Sequence, residues 1–129
     1  MKTKTSTVRF NAPKEKVFSY LSDIENLPKW ATGFCKSMRK ENDDYIVTTK
    51  NGDAIFRLSR DETTGVVDMH AGPTPDMMMT WPTRVFGLPD GSSLLTFTMV
   101  QTPEMSDEEV TQQCAELKSE FENIRSAVE

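Results

Sequence analysis

The chain has 129 residues, of which 36% are hydrophobic and 27% are charged, proportions typical of a folded globular protein. This length predicts a single domain, residues 1–129, with one hydrophobic core. Asp and Glu number 20 against 15 Lys and Arg, so the net charge is −5. Because phosphate backbones bind positive surfaces, this charge argues against nucleic acid as the main partner.

Membrane insertion, secretion and metal binding are also disfavoured by the residue pattern. No apolar run approaches the roughly 18 residues of a membrane span, so we expect no stable membrane insertion. Residues 1–10 alternate Lys, Thr and Ser without the apolar region of a signal peptide, which predicts a cytoplasmic protein. In a reducing compartment Cys35 and Cys114 are expected to be free thiols. One histidine and two distant cysteines give no recognisable zinc spacing, and we predict no metal and no other cofactor.

The first thirty residues predict a strand followed by two short helices. Apolar and polar residues alternate over residues 3–11, which indicates a strand. A helix over residues 13–21 follows, because proline is well suited to the first helical position. Ser22 or Asp23 can cap a second short helix that ends near Trp30.

Six short runs with β character, separated by turns, follow Gly33. They cover residues 34–40, 45–50, 53–60, 65–71, 76–86 and 93–102. The dipeptide Asn51-Gly52 favours a type I′ hairpin turn, and Pro82 predicts a bulge or an edge-like irregularity in the fifth run. The short turns predict an antiparallel meander with one covered face.

The last stretch, residues 106–128, predicts one long amphipathic helix. Ser106 and Glu109 have the spacing of a capping box at its start. Apolar residues recur at steps of four and three and form one stripe: Val110, Cys114, Leu117, Phe121, Ile124 and Val128. The other side is polar: Gln112, Glu116, Lys118, Glu120, Glu122 and Arg125. Since no other element is long enough to cover the sheet, we predict an α+β fold in which the sheet wraps around this helix.

The order of elements and three local patterns resemble a known family. Residues 11–18 (Asn-Ala-Pro-Lys-Glu-Lys-Val-Phe), residues 21–23 (Leu-Ser-Asp) and residues 26–30 (Asn-Leu-Pro-Lys-Trp) are similar to the opening of START/Bet v 1-like (SRPBCC) proteins, including their polyketide cyclase/dehydrase-like branch. The resemblance implies a helix-grip fold, with a curved seven-stranded antiparallel sheet around the C-terminal helix and two short helices after the first strand. It also implies an apolar cavity between sheet and helix. Members bind lipids, sterols, quinones, polyketides or plant hormones, and only some are enzymes.

The residues that would line such a cavity are aromatic, sulfur-containing or aliphatic. Methionine adapts to varied apolar ligands, and aromatic rings offer large contact areas, although the same side chains also suit an irregular core. The predicted ligand-binding residues are Trp30, Phe56, Met69, Met79, Trp81, Phe97, Met99, Cys114, Leu117 and Phe121.

Asp68 and His70 are the weak candidates for catalysis. They lie two residues apart on a predicted strand and therefore share a face, as an acid–base pair requires. The alternate residues Val67, Met69 and Ala71 are more apolar and better suited to the interior, which favours a solvated Asp and His instead.

Three functions are compatible with these patterns. We favour a binding module for a small hydrophobic or amphipathic ligand, such as a lipid, quinone or polyketide-like molecule. The alternatives are an enzyme of the cyclase or dehydratase type, and a protein-interaction or homodimeric module in which the stripe of the last helix forms a coiled-coil seam. The predicted state is a monomer or a homodimer.

Overall fold

The computed structural model describes residues 2–129 as one curved antiparallel sheet, two short N-terminal helices and a long C-terminal helix. In chain order the elements are β1 (Lys2–Phe10), α1 (Lys14–Ser22), a 3₁₀ turn (Ile24–Asn26), α2 (Leu27–Trp30), β2 (Ser37–Glu41), β3 (Asp44–Thr49), β4 (Gly52–Asp61), β5 (Val66–Gly72), β6 (Met79–Trp81), β7 (Thr83–Gly87), β8 (Ser93–Gln101) and α3 (Asp107–Val128).

The sheet has the strand order β1–β8–β7–β5–β4–β3–β2, and β6 also pairs with β5. The paired strands are all antiparallel within residues 2–129, so the predicted meander is confirmed. β6 and β7 together occupy the place of one strand. The irregularity predicted at Pro82 is confirmed, because pairing is interrupted at this residue, which has no backbone N–H to donate. The start predicted at residue 76 is wrong, since pairing begins only at Met79.

Two further local predictions are wrong. The strand predicted from residue 34 begins at Ser37, because the backbone N–H groups of Phe34 and Cys35 both donate to the Ala31 carbonyl and form a turn. The type I′ turn is absent at residues 51–52, since Gly52 has a φ of +112° but Asn51 has no positive φ. The ladder closes at the pair Thr49–Gly52, so the residues of the turn are 50 and 51.

The concave face of the sheet and the helices share one core. α1 buries Val17, Phe18 and Leu21. On β5, Val67, Met69 and Ala71 are at most 5% exposed, which confirms the predicted inner face of that strand.

Helix α3 spans 22 residues, about 33 Å at about 1.5 Å per residue. Ser106 caps it, with Ser106 Oγ accepting the Glu109 N–H at 3.1 Å. At the other end, Glu129 Oε2 accepts the Asn11 N–H at 3.0 Å and joins the helix to the β1–α1 connection. No helix within residues 2–129 combines the length and apolar character needed to span a membrane.

The stripe of α3 is buried as predicted from Cys114 to Val128, but one residue predicted on its polar side is buried too. Glu120 is 7% exposed. It follows Leu117 by three residues and precedes Ile124 by four, so it lies along the edge of the stripe that packs inward. Its burial corrects the placement of Glu120 on the polar side of the helix.

Candidate ligand-binding site

A cavity of about 200 Å³ lies between the middle of α3, the segment around α2 and the inner face of the sheet. Its lining residues come from α2 and the turn after it, the β3–β4 hairpin, β4, β5, β6, β8 and α3. They are Leu27, Trp30, Ala31, Gly33, Phe34, Thr49, Lys50, Asn51, Phe56, Met69, Trp81, Phe97, Met99, Gln113, Glu116, Leu117 and Glu120.

Aromatic rings form much of the inner wall. The ring of Phe34 lies with its centroid 6.1 Å from that of Phe56 and 6.4 Å from that of Trp81, both tilted. Such tilted contacts are favourable for aromatic pairs and help to fix the positions of the rings. The wall is therefore apolar and built from three separate segments of the chain.

Seven of the ten predicted ligand-binding residues line this cavity: Trp30, Phe56, Met69, Trp81, Phe97, Met99 and Leu117. The other three do not contribute to the lining. Phe121 packs edge-on against Phe97, with ring centroids 6.5 Å apart, and so lies behind the wall. Cys114 is buried on α3 away from the lining, and Met79 is paired with Ala71 on β5.

Sequence reasoning missed the mouth of the cavity. Lys50 and Asn51 at the tip of the β3–β4 hairpin face Gln113 and Glu116 on α3 across the opening. Lys50 Nζ and Glu116 Oε1 are 3.5 Å apart, which joins the two sides of the mouth by an ion pair. These residues are polar and follow no apolar periodicity, so only their position in the folded chain identifies them.

Glu120 is the polar group inside the cavity that sequence reasoning also missed. Its Oε2 accepts the backbone N–H of Gly33 at 3.1 Å and that of Phe34 at 3.2 Å. One helical turn later, Asn123 Nδ2 donates to the Trp30 carbonyl at 3.0 Å. Glu120 and Asn123, about one turn apart on α3, thus hold the turn after α2 over the cavity. The signal available in the sequence was the spacing of Glu120 from its apolar neighbours on the helix.

The environment of Glu120 disfavours its charged form. The pKa of Glu120 is raised to about 7, chiefly by burial, which outweighs the two backbone N–H groups that lower it. The charges of Glu116 and Lys36 have smaller effects, Glu116 raising the pKa and Lys36 lowering it. Desolvation outweighs the hydrogen bonds because burial removes the water that would stabilise the charged carboxylate. Burial, together with the charge of Glu120, also raises the pKa of the Cys35 thiol.

Asp68 and His70 lie outside the cavity. Their side chains alternate along β5 with those of Val67 and Met69 and therefore point to the opposite face of the sheet. On that face His70 is paired with Arg57 of β4. The two ring nitrogens of His70 are each 2.8 Å from a hydroxyl oxygen, those of Ser59 and Thr80. Asp68 Oδ1 accepts the Thr83 N–H at 3.0 Å. Both side chains are engaged within the sheet, and neither lines the cavity.

Within residues 2–129, no group of three or more His, Cys, Asp or Glu side chains is arranged to hold a metal ion. The carboxylates nearest the cavity, those of Glu116 and Glu120, interact with Lys50 and with backbone N–H groups respectively. The chemistry of the cavity is therefore that of an apolar pocket with a single buried carboxyl group.

The family assignment follows from a comparison of the whole sequence. Residues 1–127 match the model of the family described as polyketide cyclase/dehydrase and lipid transport. The chain belongs to that family. The resemblance noted in the sequence is thereby confirmed. No curated protein sequence matches the chain.

Solved structures at low identity share the fold. A START superfamily protein from Mycobacterium smegmatis is 15% identical with a TM-score of 0.68, over 98% of this chain and 96% of that one. Ara h 8.0201 is 15% identical with a TM-score of 0.64, over 98% and 97%. The Aha1 dimer from Colwellia psychrerythraea is 15% identical with a TM-score of 0.74, over 100% and 97%. These likenesses confirm the helix-grip architecture predicted from the sequence.

Proposed function

We propose that this protein binds a small apolar or amphipathic molecule in the cavity between the sheet and α3. The observation that carries the proposal is the cavity itself, with its aromatic inner wall and polar mouth. Ligand sites are commonly concave and mostly apolar, with few polar groups that orient the ligand. The family to which the chain belongs, and whose description includes lipid transport, supports the same function.

The volume of the cavity limits what can be enclosed. Ligand pockets commonly measure about 300–1,000 Å³, and a dry cavity of about 150 Å³ accommodates benzene. The cavity of about 200 Å³ therefore suits one substituted ring or a short branched chain. A lipid, quinone or polyketide would place one end in the cavity and leave the rest outside its mouth, which would require the Lys50–Glu116 ion pair to separate.

Tryptophan fluorescence offers a direct test. The chain contains two tryptophans, and both Trp30 and Trp81 line the cavity, so a ligand inside it should change the emission spectrum. Propylbenzene is a suitable apolar ligand for a titration followed by fluorescence and calorimetry. Saturable binding is expected, and its absence both for propylbenzene and for its alcohol and amine analogues would overturn the proposal.

A variant that fills the cavity sharpens this test. Ala31 lines the cavity and is 2% exposed, so Ala31→Leu adds three carbon atoms to the enclosed volume. We expect propylbenzene to bind this variant at least about tenfold more weakly, because overlap with the added atoms excludes the ring. Ala115 is exposed on α3, and Ala115→Leu is the matched control. Equal affinities for the two variants would contradict binding in this cavity.

The structure weakens the two alternatives drawn from the sequence. An enzyme that uses Asp68 and His70 has no access to the cavity from those positions, because both lie on the other face of the sheet. A coiled-coil dimer through the stripe of α3 would need exposed residues there, yet Leu117 and Ile124 are at most 3% exposed. Association through another surface, tested by light scattering over a range of concentrations, is independent of ligand binding.

A further inference from the structure

Glu120 presents one carboxyl oxygen to the cavity without a partner from residues 2–129. Its Oε2 receives both backbone N–H groups, whereas Oε1 receives no hydrogen bond from these residues. Among residues 2–129, Ser93 Oγ is the one side-chain oxygen that is both fully enclosed and without a hydrogen-bond partner. Glu120 Oε1 has no partner either, so it is not fully enclosed and retains accessible surface. Because Glu120 lines the cavity and is only 7% exposed, that surface faces the cavity.

At a pH above about 7 the Glu120 carboxyl group is ionised, and an ionised carboxylate accepts hydrogen bonds but donates none. A buried acceptor left without a donor costs free energy, and hydrogen bonds to charged groups are among the strongest in proteins. We infer that Glu120 selects ligands in which an apolar body carries a hydrogen-bond donor, either a hydroxyl or a protonated amine. This inference rests on the proposed function and specifies the ligand class for the same cavity.

The groups around Glu120 are compatible with either donor. Glu116 adds negative charge one turn earlier on α3, Lys36 adds positive charge from the connection to β2, and the Cys35 thiol lies nearby. Lys50 pairs with Glu116 at the mouth and not with Glu120. Aromatic rings next to a carboxylate would also stabilise an ammonium group through cation–π contacts.

Three small molecules of nearly equal shape separate the donor from the apolar body. Propylbenzene, 2-phenylethanol and 2-phenylethylamine share one skeleton and differ in a terminal methyl, hydroxyl or ammonium group. Calorimetric titration of the wild-type chain and of Glu120→Gln measures the change in affinity for each compound, at about pH 9, where Glu120 is ionised and an alkylamine is still protonated. For each compound, the affinity for the wild-type chain is compared with the affinity for Glu120→Gln. The free energy of removing that compound from water is the same in both and cancels.

Glu120→Gln is the informative variant because an amide keeps one acceptor. Its oxygen can still receive the N–H groups of Gly33 and Phe34, which turns the amide NH₂ towards the cavity. We expect the substitution to weaken 2-phenylethylamine, whose ammonium group only donates, at least about tenfold, equivalent to about 1.4 kcal/mol. The loss for 2-phenylethanol should be smaller, because its hydroxyl oxygen can accept from the amide NH₂. Propylbenzene should change less than about twofold. Glu122→Gln, which removes an exposed carboxylate from the same helix, should leave all three unchanged.

The possible outcomes distinguish this inference from the proposed function. A loss for the amine that propylbenzene does not share supports the inference, and a loss for the alcohol as well shows that a neutral donor is also recognised. An equal loss for all three compounds would show that Glu120 acts only by holding the turn after α2, and no loss would show no role at all; either result overturns the inference while the cavity remains a binding site. No binding of any compound to the wild-type chain would overturn both.

Discussion

The buried carboxyl group of Glu120 makes a specific prediction about stability and pH. Burial raises the pKa of Glu120 from 4.5 to about 7 in the folded chain, whereas the unfolded chain releases this proton near 4.5. Between these values the folded state binds one proton more than the unfolded state, so the free energy of unfolding falls as the pH rises. A shift of about 2.5 units at about 1.36 kcal/mol per unit corresponds to about 3 kcal/mol.

Glu120→Gln removes this proton equilibrium. Relative to the variant, the wild-type chain should therefore lose about 3 kcal/mol of stability between about pH 4.5 and pH 7, with the full contribution present below pH 4.5. Urea unfolding of both proteins at a series of pH values and constant ionic strength measures the difference. The exposed carboxylates that pair with arginines, such as Asp44 with Arg57, occur in both proteins and cancel.

The reasoning would be refuted if the stability difference between the wild-type chain and Glu120→Gln stayed constant as the pH rises over this range, or changed in favour of the wild type. The raised pKa of the Cys35 thiol lies above its ordinary value of 9.0, so that group does not titrate in the same window. Glu122→Gln is the control for loss of a carboxylate from the exposed face of α3. A low pKa for Glu120 would mean that the two backbone hydrogen bonds outweigh the burial.

Two further predictions concern the fold. Ser106→Ala removes the oxygen that accepts the Glu109 N–H, and urea denaturation should show a loss of about 1 kcal/mol; an unchanged midpoint would mean that the cap contributes nothing. Gly65→Ala would place a methyl group 2.1 Å from the Val85 carbonyl oxygen at a φ of +79°, whereas Gly91→Ala at a φ of +87° meets no atom within 4 Å. Gly91→Ala should cost about 1–2 kcal/mol from backbone strain alone, and Gly65→Ala should cost clearly more; equal losses would contradict the close approach.

The fold was largely predictable because burial imposes a period on the sequence. The alternation Val67, Met69, Ala71 predicted the inner face of β5, and the stripe of α3 predicted which side of the helix is covered. What the period does not determine is where a ladder starts and stops. The pairing of Thr49 with Gly52 shifts the hairpin turn by one residue, since many cross-strand contacts outweigh the preference of a dipeptide.

The candidate site was predictable only where its residues are apolar. Phe56, Met69 and Phe97 lie on inner faces of strands, and strand alternation predicts that. Phe34 lines the cavity from a turn, where no period assigns a facing, and Lys50 reaches the mouth from a hairpin tip. Such positions depend on how distant segments meet, which a local pattern does not contain.

Helix packing alone does not account for a glutamate at position 120. A leucine there would extend the buried stripe but would leave the Gly33 N–H without its acceptor, while Phe34 would keep the Ala31 carbonyl. Buried backbone N–H groups need partners, and that requirement calls for an oxygen at this position. A glutamine supplies the oxygen without the desolvation that raises the pKa of Glu120 to about 7. The structural role therefore explains Oε2, and the donor-bearing ligand proposed above would account for the second oxygen, which is an acceptor once Glu120 is ionised.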